Sequence, residues 1–171
     1  IDGSEYTYIE TPGCLSVGKQ AGQPKLPVKI VKILIPAMKT VTDLEVVGTP
    51  INIDLNAMGL FEKPVIPYQN EVPLGSLQAD FSIDYGVYST NSLYPGNLND
   101  DYHIGYSHGY AILDVTLNPM QYNPVSGLLK YYTQMKINID LADSSYVNPF
   151  YRYNIDDKDW VQKLVYNPEV A

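Results

Sequence analysis

The chain has 171 residues, of which 45% are hydrophobic and 18% charged, with a net charge of -8. This is the composition of a globular domain with one sizeable core. Its acidity excludes a phosphate-backbone binder, which needs clustered Lys and Arg, so nucleic acid is not an expected partner. With no run of about 18 apolar residues, no membrane-spanning helix is expected.

The chain begins at Ile1 without a signal-peptide pattern, so any export leader is expected to have been removed or to lie outside this sequence. Sixteen Tyr against three Phe and one Trp suit strands with one wet face and resemble the usage of exported β proteins. Cys14 is the lone cysteine, which excludes an internal disulfide and a Cys-rich metal site.

In chain order, residues 5–10 read as a short strand closed by the turn Thr11-Pro-Gly-Cys14. Residues 18–27 form a loop in which Gly22, Pro24 and Pro27 fix an extended path. Residues 28–35 follow as a strand whose near-continuous apolar run, with Lys29 and Lys32 out of phase, predicts central burial or a bulge. Two more strands are expected at 42–47, with Leu44 and Val46 inward, and at 51–55, with Ile51, Ile53 and Leu55 inward. From 63 to 99, four prolines and three glycines interrupt every apolar run, which predicts one long excursion that the core does not need.

The clearest alternation follows. Ala111, Leu113, Val115 and Leu117 share one face, as do Leu129, Tyr131, Thr133, Met135, Ile137, Ile139 and Leu141. These predict two long antiparallel strands, each with one face in the core and one in water. Residues 118–127, with two prolines and a glycine, should join them as a wide hairpin loop. Acidic residues at its start and Trp160, Val161, Leu164 and Val165 at helical spacing make 156–165 a short amphipathic helix. Strands at this spacing predict an all-β fold, an antiparallel β-sandwich over residues 1–155 with one short C-terminal helix in a tail at 156–171.

Chemistry-bearing groups are few. Cys14 with His103 or His108 would be a thiol and its base, but a plain free thiol in a turn is preferred because nothing nearby activates it. Asn97-Leu-Asn-Asp-Asp101 carries oxygen ligands suited to calcium yet lacks the EF-hand order, so a solvated polar loop is expected. Tyr131, Tyr132, Tyr146, Tyr151 and Tyr153 would suit a sugar-stacking platform, although half-buried sheet residues are the commoner use. No catalytic residue, metal or cofactor is expected. A stand-alone carbohydrate-binding or adhesion sandwich is the alternative kept open.

Three stretches together resemble the propeptide domain of gingipain-type (C25) cysteine peptidases, the clan that also holds caspases and legumain. They are Gly22-Gln-Pro-Lys-Leu-Pro27 running into an apolar strand and then Leu44-Glu-Val-Val47; Tyr94-Pro-Gly96 followed by the strand at 110–117, Asn118-Pro-Met-Gln-Tyr-Asn-Pro-Val125 and a Tyr-rich strand; and Trp160-Val-Gln-Lys-Leu-Val-Tyr-Asn-Pro-Glu169. The resemblance implies a secreted or cell-surface prodomain that assists folding of a cognate cysteine-peptidase catalytic domain and occludes its active site until cleavage. It also implies that the reading frame continues past Ala171 into that caspase-like domain. It places an inhibitory loop at Asn70, Glu71, Val72, Pro73, Leu74, Gly75 and Ser76, with Leu74 nearest the position that enters the specificity pocket, and gives Trp160 and Leu164 as partner-binding residues of the tail. No Lys or Arg occurs between Pro64 and Leu129, so the sequence departs from the basic plug expected of prodomains whose enzymes cut after Arg or Lys. An uncharged specificity is expected instead, with an acidic one served by Glu71 or Asp80 as the lesser alternative.

Overall fold

Leu113 and Val115 lie fully buried on one face of a strand while their neighbour Ile112 is buried on the other. This double burial is the key to the architecture. The computed structural model describes residues 5–60, 62–71, 75 and 81–171. Its strands are β1 (Leu15–Val17), β2 (Leu26–Leu34), β3 (Lys39–Gly48), β4 (Ile51–Asp54), β5 (His103–Ser107), β6 (Tyr110–Leu117), β7 (Met120–Asn123), β8 (Leu128–Tyr131) and β9 (Met135–Asp143). Helices are a single turn, α1 (Tyr85–Tyr88), and the longer α2 (Ile155–Leu164), followed by a 3₁₀ turn at Pro168–Val170. The expected all-β antiparallel fold with a short C-terminal helix is what the chain forms.

The strands fall into two compact units interleaved along the sequence. The first comprises Ile1–Lys29, Thr49–Leu98 and Asn118–Gln134, the second Ile30–Gly48, Asn99–Leu117 and Met135–Ala171. Strand β2 enters both: Leu26 to Val28 take β1 as antiparallel partner in the first, and its remainder lies beside β6, then β5, in the second.

In the second unit, β3 and β9 form an antiparallel ribbon whose register shifts between Val41 and Asp43. The shift makes Thr42 an extra residue, so Val41 and Leu44, three apart, both turn inward. With Val46, Met135, Ile137 and Ile139 they pack on Val31, Ile35, Leu113, Val115 and Leu117. This packing of ribbon on sheet is a sandwich arrangement within the second unit. The opposite face of β2 and β6 carries Leu34 and Ile112, which α2 covers with Val161 and Val165. Around Leu34 both faces of β2 are therefore buried, which accounts for the apolar residues at Ile33, Leu34 and Ile35.

In the first unit, β7, β8 and β4 make a three-stranded antiparallel sheet. Its core is Leu26, Leu55, Val65, Met120, Tyr122 and Leu129.

Several expectations need correction. Residues 5–10 form no strand, only an isolated parallel bridge from Thr7 to Val65. The wide loop at 118–127 contains β7, all four residues of which are buried. The run 129–141 is two strands, because Tyr132 buries its ring and donates its hydroxyl to Gln121 Oε1 at 2.8 Å, leaving β8 to pair with β4 and β7 while β9 pairs with β3. Strand β6 is no hairpin partner of that run, and the face of Ile112 meets a helix, not water. Finally, the 63–99 excursion is partly core: Val65 is fully buried, and Tyr94 and Tyr122 exchange backbone hydrogen bonds of 2.7 and 2.8 Å. Ile51, expected inward, is 54% exposed at the end of β4.

Candidate functional site

The stretches on either side of the expected inhibitory loop are joined to each other and to Gly22 through backbone hydrogen bonds, which form its neck. Tyr68 N–H donates to Gln23 O at 2.8 Å, Gly22 N–H to Tyr68 O at 2.7 Å, and Asp84 N–H to Gly22 O at 2.9 Å. Three separated stretches thus meet at Gly22. Its φ is +89°, and a Cβ there would lie 2.8 Å from the Asp84 nitrogen, so only glycine fits without backbone movement. Above this, Gln69 spans the loop ends: its Nε2 donates to Ser82 O at 2.8 Å and its Oε1 accepts from Ser82 N–H at 2.9 Å. The carboxamide satisfies both backbone groups of one residue, as a neighbouring strand would.

Below the neck, Asp84 caps α1 by accepting from Gly86 and Val87 N–H at 3.0 and 3.3 Å. Tyr88 closes the helix onto the core by donating to Val65 O at 2.6 Å. Burial, with smaller contributions from the neighbouring Tyr122, Tyr6 and Tyr94, drives the Tyr88 phenol far above its ordinary range. Of the loop residues themselves, Asn70, Glu71 and Gly75 are exposed. Val72, Pro73, Leu74 and Ser76, like Asp80, lie outside the described residues.

The second expected contact region is the C-terminal segment of the second unit. It runs back over the β5–β6 turn, where His108 and Gly109 both have positive φ, 52° and 87°, as a two-residue hairpin of this kind requires. A Cβ on Gly109 would lie 2.4 Å from Tyr151 Cα and N, so the chain crosses this turn at contact distance. Tyr151 stacks edge-on against Tyr110 at 4.9 Å and Tyr153 at 4.4 Å. Burial, then the Tyr151 hydroxyl 3.4 Å away, pushes the Tyr110 phenol up to about 12.

Asp157 anchors this crossing. Its side chain is 8% exposed, accepts from Arg152 Nη2 at 2.9 Å and Arg152 Nε at 3.1 Å, and lies 2.8 Å from His108 Nδ1. Trp160, one turn on, is 48% exposed with its ring 4.9 Å from His108, and Leu164 is half-buried beside the Val161 and Val165 cluster. The contact with the sheet is therefore carried by Val161 and Val165, while Trp160 keeps about half of its surface exposed. Elsewhere in the second unit, Tyr106, Tyr146, Val147, Phe150, Tyr153 and Ile155 are each more than half exposed. Sequence reasoning missed the Asp157 cluster: Arg152 lies only five residues before it, but His108 comes from a distant turn, and the only signal read was an acid in the first helical turn.

Cys14 sits in an open depression lined by residues 10–16 and Pro27, none of them histidine, and His108 is engaged by Asp157. Tyr131 and Tyr132 belong to the first unit and Tyr146, Tyr151 and Tyr153 to the second. Asn97 and Leu98 offer their carbonyls to Asn118, and among the described residues no three His, Cys, Asp or Glu side chains gather around a point that could hold a metal. Among the described residues no helix is long and apolar enough to cross a membrane.

A family model described as Propeptide_C25 matches residues 2–150. Among solved structures, the chain is similar to gingipain K of Porphyromonas gingivalis, from a study of its zymogenic latency, at 23% identity and a TM-score of 0.64 over 78% of this chain and 72% of that one. It is also similar to a complex of the pro- and mature domains of RgpB from the same organism, at 16% identity and a TM-score of 0.64 over 91% of this chain and 77% of that one. At these identities the likeness is one of fold. A search among curated proteins finds no match.

Proposed function

The chain belongs to the propeptide family of C25 peptidases, and on that premise we propose that it inhibits and assists the folding of a gingipain-like cysteine-peptidase domain, covering its active site until processing. The single observation that carries the reading is the family match across residues 2–150, to which the likeness in fold to gingipain K and to the complex of RgpB pro- and mature domains adds support. In this reading the chain has no activity of its own and works outside the cell or at its surface. Residues 1–155 are the inhibitory body, and 156–171 lead toward the catalytic domain.

Two surfaces make the contact. The loop from Asn70 to Ser76 enters the active-site cleft from its clamped neck, with Leu74 nearest the specificity pocket. Trp160 and Leu164 hold the enzyme at the tail. A pocket lined by a carboxylate would have its charge desolvated against Leu74 without a partner, a cost of several kcal/mol. The cognate peptidase therefore prefers an uncharged residue before the scissile bond.

The test is inhibition of the cognate catalytic domain by this chain, with substrates varied at that position. Wild type and Cys14→Ala should inhibit equally, and Leu74→Ala should weaken inhibition about tenfold or more. A strict Arg or Lys preference, or full inhibition by both Leu74→Ala and Glu71→Ala, would remove the plug while leaving simple steric cover. Absence of inhibition together with retention on polysaccharides would favour the carbohydrate-binding alternative.

A further inference from the structure

Beyond α2 the chain meets the edge of β2 that faces away from β6. Ile35 N–H donates to Ala111 O in β6 at 3.0 Å, so the preceding residue, Leu34, turns its own N–H and C=O to the opposite edge, because successive strand residues alternate in this respect. There the Asn167 side chain takes both: Oδ1 accepts from Leu34 N–H at 2.7 Å, and Nδ2 donates to Leu34 O at 2.9 Å. One register step away, Tyr166 N–H donates to Lys32 O at 2.9 Å. Residues 166–167 thus supply what an adjacent strand would supply, using one backbone group and one carboxamide. Further along, Gln162 Nε2 holds Pro168 O at 3.0 Å, and Val170 and Ala171 rest on the cluster of Leu34 and Ile112.

We infer that Asn167 is a one-residue substitute strand that straps the tail to the β2 edge, and that this strap opens ahead of the sheet and of α2. The asymmetry of anchoring supports the order. Val161 is fully buried and Asp157 nearly so, whereas Tyr166 is 62% exposed. The hydrogen bonds between Leu34 and Asn167 are only partly buried, and bonds near the surface open locally at lower free energy than the core. For a prodomain processed by a peptidase the consequence is control of access: while the strap is closed the chain around Tyr166 lies along a sheet edge, and cleavage there has to wait for release. That consequence rests on the prodomain reading; the strap does not.

Neighbouring amides provide the measurement. In the intact chain, hydrogen exchange should show Leu34 and Ile35 both protected, with Leu34 exchanging faster. In Asn167→Ala, Leu34 should lose protection by about tenfold or more while Ile35 keeps its own, and chymotryptic cleavage after Tyr166 should accelerate by a similar factor. Asn167→Asp keeps the acceptor for Leu34 N–H but sets a carboxylate against Leu34 O, so it should fall between. Unchanged Leu34 protection in both variants, or equal loss at Leu34 and Ile35, would overturn the strap. Because inhibition of the peptidase is measured separately, a failed strap in a chain that still inhibits leaves the prodomain reading standing.

Discussion

Gly22 shows how much of the loop neck depends on one missing Cβ. With φ at +89° and the Asp84 nitrogen 2.8 Å from where a methyl would be, Gly22→Ala combines left-handed strain with a clash against backbone. A loss of about 2–3 kcal/mol in urea unfolding is expected; a loss below about 0.5 kcal/mol would mean that the neck yields easily. Gly22 stood out in the sequence as a loop residue fixing an extended path. Its close approach to residue 84 did not, because 61 positions lie between the partners. Asp157 repeats the lesson: its carboxylate is buried among Arg152 and His108, yet Arg152 is 63% exposed and recovers water when the acid is removed. Asp157→Ala should therefore cost about 1–2 kcal/mol, less than breaking a pair buried on both sides.

At the scale of the element, α2 tests which side of an amphipathic helix does the holding. Isolated, ten residues would be marginal in water, so packing decides. Val161 has no exposed surface and Val165 is 9% exposed, against 48% for Trp160. Val161→Ala should destabilise the chain by about 2 kcal/mol, and Trp160→Ala by less than about 1 kcal/mol. The reverse ranking in denaturant melts would show that the indole, not the valines, anchors the helix. Helical spacing named all four apolar positions of this element but not which of them meets the sheet, since that depends on how the chain crosses the β5–β6 turn. The long 129–141 pattern failed for a related reason. A period of two persists through Tyr132, but alternation says nothing about which partner a strand pairs with.

For the whole molecule the skewed tyrosine content has a consequence at high pH. Burial first of all raises the phenols of Tyr88, Tyr122 and Tyr132 in one unit, and raises Tyr110 to about 12 in the other. A group whose folded value lies above its unfolded value of 10.0 keeps its proton in the folded chain where the unfolded chain has lost it. The associated stability is complete below about pH 10 and falls as pH rises through the folded values. Melting temperature should therefore hold steady up to about pH 9 and drop steeply above about pH 10, with phenolate absorbance from these tyrosines appearing together with unfolding. Tyr88→Phe should shallow the slope by about one proton while forfeiting the bond to Val65 O, about 1 kcal/mol. Gradual phenolate formation in a chain that stays folded would contradict this.

By itself the sequence determined the all-β class, the short helix near its C-terminal end, most strand positions and a likeness to the C25 propeptides, because alternation, helical spacing and turn residues are local and the motifs occur in order. The broken apolar runs of 63–99 misled, since burial of Val65 and the pairing of Tyr94 with Tyr122 are set by distant partners. Only the tertiary structure decided that β2 serves two units, that β6 is covered on both faces, and that Gln69 and Asn167 each close a segment by meeting one residue's backbone pair. Hydrogen-bond partners thirteen and 133 positions apart leave no period in the chain to read.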